Sequence, residues 1–143
     1  FLVENTTVHS RQLINLRSDY GSTWEGEFII RNCTLAPAAS PINDLAIFNG
    51  SYDGNHDFGY TCYMPERIVI ENLKIIDSNH SASYNGPAIF SNFNPKMKDG
   101  TYEEKFPYIK TKEVVLQNVT TESNKPLRVS NNTHMFKDIV VKK

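Results

Sequence analysis

The stretch that decides the fold is ERIVIENLKIID, residues 66 to 77. Apolar and polar residues alternate along it, both before and after Asn72. Alternation of this kind predicts half-buried β-strands on either side of the asparagine. Because asparagine tolerates the left-handed backbone conformation, Asn72 is predicted to form a one-residue bend between them. The inward positions are Ile68, Ile70, Leu73 and Ile75.

The same pattern recurs four more times along the chain. The copies are FLVENTTV at 1 to 8, FIIRNCTL at 28 to 35, VVLQNVTT at 114 to 121 and HMFKDIVV at 134 to 141. Their bends fall at Asn5, Asn32 and Asn118, and Asp138 takes the asparagine place in the last copy. A second apolar segment follows each of the first four bends, namely QLINL at 12 to 16, LAIF at 45 to 48, PAIF at 87 to 90 and PLRV at 126 to 129. Repeats of this size bury a continuous core only by stacking on one another.

Three short strands per repeat, an asparagine at one tight bend and loops of variable length resemble the right-handed parallel β-helix of the pectate-lyase-like superfamily. The resemblance implies an all-β fold of about five coils, with Asn5, Asn32, Asn72 and Asn118 stacked in a ladder of buried amides and Asp138 ending the row. It covers nearly the whole of residues 1–143, which are expected to form one domain. The chain opens in mid-strand at Phe1. It is therefore expected to be the C-terminal part of a longer β-helix, whose earlier coils, or a second copy, cover the open end.

The charge and hydropathy of the chain limit the classes of molecule that it is expected to bind. The net charge of −1 provides no electrostatic basis for binding nucleic acid or a lipid surface, and no apolar run approaches the length of a membrane span. Cys33 falls on an inward strand position, whereas Cys62 lies in a loop, so a disulfide between them would require the inward side chain to swing out. The superfamily implies an extracellular or cell-surface location.

The resemblance places a substrate cleft on the second strand of each repeat. Aligning these strands puts Leu16, Ile47, Ile89 and Val129 inside. On the outer face lie Phe48 and Phe90, with Arg17 and Arg128 near the two ends. Exposed rings on a strand have two explanations, which are a sugar stacked on them or a loop folded over them.

The loops that follow these strands, residues 17 to 26, 49 to 65 and 91 to 111, hold ten of the sixteen aromatic residues. The rings either pack on one another or line a carbohydrate cleft, where Tyr20 and Tyr60 would join Arg17 in binding sugar.

Catalytic candidates lie in the same loops. Asp19 and Asp57 follow second strands of neighbouring repeats and could supply the two carboxyls of a glycosidase, with His56 beside them. A lyase instead needs a basic group, such as Arg17, Arg128 or Lys96, often with calcium on the substrate carboxylate, whereas a hydrolase implies no cofactor. The paired-aspartate and Gly-His-Gly signatures of polygalacturonases are absent, as is a clear pectate-lyase arginine motif.

Six Asn-x-Ser/Thr sequons begin at Asn5, Asn32, Asn49, Asn79, Asn118 and Asn131. They either accept N-linked oligosaccharides or reflect the asparagine and threonine content of a β-helix. The structural explanation is preferred here, because three of them are ladder positions.

Three functions remain open. The chain is predicted to belong to a secreted polysaccharide hydrolase or lyase. The alternative is a non-catalytic surface or adhesion module, which the missing catalytic signatures favour. The third is a structural capping piece of a larger enzyme whose active residues lie in other coils.

Overall fold

The computed structural model describes residues 1–17, 24–38, 41–51, 64–91, 111–133 and 136–143. These residues form nine β-strands and no helix. The strands are β1 (Leu2–Glu4), β2 (Thr7–Val8), β3 (Gln12–Arg17), β4 (Glu27–Leu35), β5 (Ala46–Ser51), β6 (Arg67–Ile75), β7 (Ala88–Phe90), β8 (Glu113–Thr121) and β9 (Val140–Lys142). The all-β prediction is confirmed for this part of the chain.

The strands form two open, parallel sheets. The larger sheet has the order β1-β4-β6-β8-β9, with β2 also paired to β4, and the smaller sheet has the order β3-β5-β7. Every pair of neighbouring strands is parallel. Parallel neighbours require a crossover connection, which is usually a helix. Here the chain between successive long strands passes through a strand of the smaller sheet, so the two sheets are built in alternation.

The asparagine bends are confirmed in all four predicted places. Asn5, Asn32, Asn72 and Asn118 have φ angles of 53°, 52°, 52° and 52°. In β4 the bend shifts the alternation by one, so that Arg31 and Asn32 face outward in succession before Cys33 returns to the core. The same shift occurs at every bend, which keeps the repeats in register.

The four asparagines also form the predicted ladder. The Nδ2 atom of each donates to the Oδ1 atom of the asparagine before it, at 3.4 Å for Asn32 to Asn5, 2.9 Å for Asn72 to Asn32 and 2.9 Å for Asn118 to Asn72. The expected burial of these amides is wrong, however, because all four residues are exposed. The cause is the alternation shift, which places the bend residue on the outer side of the sheet.

Asp138 does not end the row, contrary to the prediction. The strand β9 begins only at Val140, and it pairs Val141 with Val114. Aligning HMFKDIVV with VVLQNVTT placed His134 opposite Val114, which is seven residues away from the observed register. Asp138 therefore lies before the last strand, in a turn, and outside the ladder.

The core lies along the inward columns of the larger sheet and against the smaller sheet. Ile30 and Ile70 are fully buried and lie opposite each other in the register, and Leu116 continues the same column. Beyond the bend, Cys33 is buried as a free thiol and pairs with Leu73, as predicted. Cys62 lies outside the described residues, and because Cys33 is a free thiol, it forms no disulfide with Cys62.

One glycine marks a close approach between successive repeats. Gly86 has φ +102°, and a Cβ atom built there would lie 2.5 Å from the backbone oxygen of Pro126. Gly26 also has positive φ, at +73°, but a Cβ there would meet nothing within 4 Å. At Gly26 a side chain would therefore meet only backbone strain, whereas at Gly86 it would also collide with a neighbouring backbone.

Asn72→Ala is predicted to destabilise the fold by about 1–2 kcal/mol, chiefly because alanine is disfavoured in the left-handed conformation. Asn72→Gly, which removes the same exposed ladder bonds without this backbone cost, should lose less. Chemical denaturation of both variants measures the difference. Equal losses would show that the amide bonds, rather than the bend, carry the stability.

Gly86→Ala is predicted to cost about 1–3 kcal/mol more than Gly26→Ala, because only the first substitution forces a methyl group into a neighbouring backbone. The comparison uses free energies of unfolding from urea titrations. A matched pair of losses would contradict the close approach between Gly86 and Pro126.

Candidate functional site

The three strands of the smaller sheet end at one edge, which we call the carboxyl edge. β3 ends at Arg17, β5 at Ser51 and β7 at Phe90. The register pairs Arg17 with Ser51, so β3 and β5 end side by side, while Phe90 at the end of β7 lies opposite Phe48, three residues before the end of β5. The three loops predicted to carry function therefore begin side by side.

Most predicted site residues follow these strands in the sequence and fall outside the described residues. They are the catalytic candidates Asp19, His56 and Asp57, the sugar-binding candidates Tyr20 and Tyr60, and the alternative lyase base Lys96. For Arg17 the backbone position in β3 is described, but the side chain is not. Their roles stay predictions.

Phe48 and Phe90 do not form an outer face, which corrects the prediction of an exposed aromatic platform. Both are fully buried. The Phe48 ring meets Phe28 of β4 edge-on, with centroids 5.3 Å apart, and lies 5.7 Å from Phe90, which in turn stacks on Phe136 at 4.6 Å. Phe28 belongs to the inward column of the larger sheet. The rings therefore fill the space between the sheets and are closed to a sugar.

The error arose from a register slip in β3. The sequence alignment matched Leu16 with Ile47, whereas the structure pairs Gln12 with Ala46 and Leu16 with Gly50. That is a slip of three residues, and an odd slip exchanges the two faces of a strand. Leu16 is buried as predicted, but Phe48 lies on the same side as Leu16. Ile47 and Ile89 are equally buried, so both faces of β5 and β7 are covered.

Arg128 links two successive repeats through hydrogen bonds. Its Nη2 donates to the backbone oxygen of Gly86 at 2.9 Å, and its Nη1 donates to Oδ1 of Asn131. Arg128 also bridges Ala88 through its backbone. With two donors already engaged by protein oxygens, its guanidinium is poorly placed for the bidentate recognition of a sugar carboxylate.

The sequence patterns did not predict a buried polar cluster around Asp77. Asp77 is fully buried, and Tyr84 donates its hydroxyl to Oδ2 of Asp77 at 2.8 Å. Ser123 donates its backbone NH to Oδ1 at 2.9 Å and its hydroxyl to Oδ2 at 2.6 Å. Burial, and then the bond to Asp77, raises the pKa of the Tyr84 phenol. Both carboxylate oxygens of Asp77 therefore accept hydrogen bonds. Asp77 and Tyr84 lie in the connection after β6 and Ser123 lies in the connection after β8, so the cluster links the connections of adjacent repeats.

The outer face of the larger sheet carries two charged columns, at fixed offsets before the bend. One column consists of Glu27, Arg67 and Glu113, and the other of Glu4, Arg31, Glu71 and Gln117. Arg67 pairs with both glutamates of its column, with Nε 2.8 Å from Oε2 of Glu113. Arg31 lies 3.2 Å from Glu71 and 3.9 Å from Glu4. Aligning the four asparagine bends would have revealed both columns.

These pairings shift the titration of the groups involved. The hydrogen bonds to Glu113 and Glu27 raise the pKa of Arg67. Lys142 and then Arg67 lower the pKa of the Glu113 carboxyl. Both residues are solvent-exposed in part, and their charges neutralise one another. The described face therefore offers no unpaired carboxyl couple of the kind that a glycosidase uses.

Comparison with known proteins assigns no family. No family model matches the chain, and no curated protein or solved structure shows significant similarity to it. Within the described ranges, no group of three or more His, Cys, Asp or Glu side chains is arranged to hold a metal ion. A helix of the length and apolar character needed to cross a bilayer is likewise missing from the described chain.

Glu113→Gln is predicted to destabilise the protein at neutral pH and to have little effect in acid. A carboxyl whose folded pKa is lowered adds stability above its unfolded pKa, which is about 4.3 for glutamate. That contribution disappears as the pH falls through the folded pKa, when wild-type Glu113 is itself protonated. Unfolding free energies at pH 7 and pH 3 provide the test.

The matched control is Glu25→Gln, since Glu25 is exposed and makes no ion pair with any described residue. This variant should follow the wild type at both pH values. A Glu113→Gln deficit of the same size at pH 7 and pH 3 would contradict the ion-pair explanation.

Proposed function

We propose that the chain is a parallel β-helix of the pectate-lyase-like kind that acts outside the cell or at its surface and binds a polysaccharide at the carboxyl edge of its smaller sheet. The observation that carries the proposal is the register of that sheet. It brings the ends of β3, β5 and β7 to one edge, and the segments that follow these strands in the sequence hold most of the aromatic residues.

The coiled architecture is supported by three features. The strand pairs are parallel, the asparagine ladder runs through four repeats, and the chain alternates between the two sheets. A β-helix of about five coils with three strands each is the closed form that these features favour.

The proposed binding groups are Arg17 and the aromatic loop residues Tyr20 and Tyr60. An arginine offers a bidentate partner for a uronate carboxylate, and tyrosine rings stack on the faces of sugars. Phe48, Phe90 and Arg128 are not part of the proposed site, because the rings are buried and the guanidinium is engaged by Gly86 and Asn131.

Catalysis by this chain would depend on Asp19, Asp57 and His56. As a hydrolase it would use the two aspartates as acid and as nucleophile or base. As a lyase it would use a basic group to remove a proton, with calcium on the substrate carboxylate. The described residues hold no cluster of carboxylates suited to calcium, so no ligand is assigned to that ion.

A non-catalytic surface or adhesion module is the second candidate, and the charged columns favour it. Every arginine in those columns is paired with a glutamate of a neighbouring repeat, and the aromatic platform expected for a cleft is buried. A module of this kind would bind its partner through the loops without acting on it.

Arg17→Ala is predicted to weaken the binding of uronate-containing oligosaccharides at least tenfold and to leave neutral ones nearly unchanged, since one charge-assisted contact is worth roughly 1.5–3 kcal/mol. The matched control is Arg11→Ala. Arg11 directly precedes β3, at the opposite end of that strand from Arg17, and pairs with Asp44. Titration calorimetry with both classes of oligosaccharide measures the effect.

The assay also separates the two candidates. Turnover that disappears in Asp57→Asn while binding persists identifies the enzyme, and binding without turnover identifies the module. Equal losses in Arg17→Ala and Arg11→Ala would place the binding site elsewhere. If neither class of oligosaccharide binds, the polysaccharide proposal is wrong.

A further inference from the structure

The six sequons differ sharply in what their asparagine amides do in the fold. The amide nitrogen is the atom that carries an N-linked oligosaccharide. In Asn32 and Asn118 this nitrogen donates to the preceding asparagine of the ladder, and in half-buried Asn49 it donates to Oδ1 of Asn15 at 3.3 Å. Adjacent strands lie only about 4.7–4.9 Å apart, so a sugar on these nitrogens would crowd the neighbouring repeat.

The remaining three sequon asparagines are Asn5, Asn79 and Asn131. The Oδ1 atom of Asn5 accepts the first ladder bond, and that of Asn131 accepts from Arg128. Asn79 is exposed, and its side chain makes no hydrogen bond with the part of the chain that the structure describes. It is the sequon asparagine with a wholly unengaged amide among the six.

The backbone around Asn79 holds the sequon in a fixed orientation. Ile42 donates its NH to the carbonyl oxygen of Asn79 at 3.0 Å, and Ser81 donates its NH to the carbonyl of Ile42 at 2.9 Å. His80, between them, forms a parallel bridge with Ile42 and lies against Tyr84, with ring centroids 5.1 Å apart. The backbone on both sides of His80 is therefore fixed by hydrogen bonds to Ile42.

We infer that the connection after β6 is an N-glycosylation site, with Asn79 as the acceptor and Ser81 as the hydroxyl residue that the transferase requires. In the transfer, Nδ2 of Asn79 bonds to C1 of an oligosaccharide carried on a lipid pyrophosphate. The bond from C1 to the pyrophosphate oxygen breaks, the lipid pyrophosphate leaves, and one amide proton is lost. The inference rests on the extracellular location in the proposed function, because only the secretory pathway supplies this donor.

The site is tested by secreting the full chain from a eukaryotic cell behind a cleavable leader. Peptide N-glycosidase in ¹⁸O-water converts each glycosylated asparagine to labelled aspartate, which mass spectrometry locates. The label is expected at Asn79. Asn79→Gln and Ser81→Ala should each remove that oligosaccharide, and an unlabelled Asn79 in the secreted protein would overturn the inference.

Ser83→Ala is the matched control. The hydroxyls of Ser81 and Ser83 lie 3.0 Å apart, so this variant removes the same side-chain contact and keeps the sequon intact. It should retain the oligosaccharide. Loss of modification in Ser83→Ala equal to that in Ser81→Ala would refute the acceptor assignment, because it would trace the effect to local structure.

A second measurement does not depend on secretion. Asn79→Gln should unfold at the same urea concentration as the wild type when both are made without oligosaccharide, because the amide has no partner to lose. A clear drop in the midpoint would contradict the unengaged side chain. Polysaccharide binding can be measured on the same unmodified protein, so failure of the proposed function and failure of the glycosylation site give different results.

Discussion

The left-handed asparagine bend is the constraint on which the rest of this structure depends. A residue at φ near 52° shifts the alternation of a strand by one, so two consecutive side chains face outward before the inward series resumes. Strands that carry this shift stack without conflict only if each bend lies opposite the next. A slip of one residue would place Glu71 in the core column and Ile70 outside it. The bend therefore fixes the register of β4, β6 and β8 more firmly than apolar alternation alone, and the amide ladder follows from that register.

The same register determines what the outer face of the larger sheet can do. Two columns in which glutamate and arginine alternate flank a column of outward apolar residues, Ile29, Val69 and Val115, and Val69 is only 6 % exposed despite its outward direction. Surface ion pairs contribute little singly, but their long side chains also cover apolar surface beside them. Because the charges on this face are paired and its apolar residues are covered, the face is poorly suited to binding a charged polymer. The binding site is therefore proposed at the carboxyl edge of the smaller sheet and not on this face.

The two sheets differ in how much of their register and of their inward residues could be predicted from the sequence. In the larger sheet the repeats around Asn5, Asn32, Asn72 and Asn118 carry an asparagine marker, so their bends, parallel pairing and inward residues could be predicted. The strand β9 carries none, and its register was mispredicted. The smaller sheet has no such bend, and β3 offers apolar residues in both phases, at Leu13, Ile14 and Leu16. The slip that turned Phe48 outward came from that ambiguity. Asn15 and Asn49, which are hydrogen-bonded across the sheet, would have given the correct alignment. The buried cluster at Asp77 depends on contacts between connections, and no strand pattern encodes those.

The two proposed sites lie at opposite ends of the smaller sheet, and this makes them compatible. The connection that holds Asn79 leads into β7 from its amino end, and an isolated bridge from His80 to Ile42 joins it to the connection that precedes β5. The polysaccharide site is proposed where β3, β5 and β7 end. Parallel strands keep all amino ends on one side and all carboxyl ends on the other. An oligosaccharide attached to Asn79 would therefore keep that side of the molecule in solvent, while the carboxyl edge stays open to a ligand.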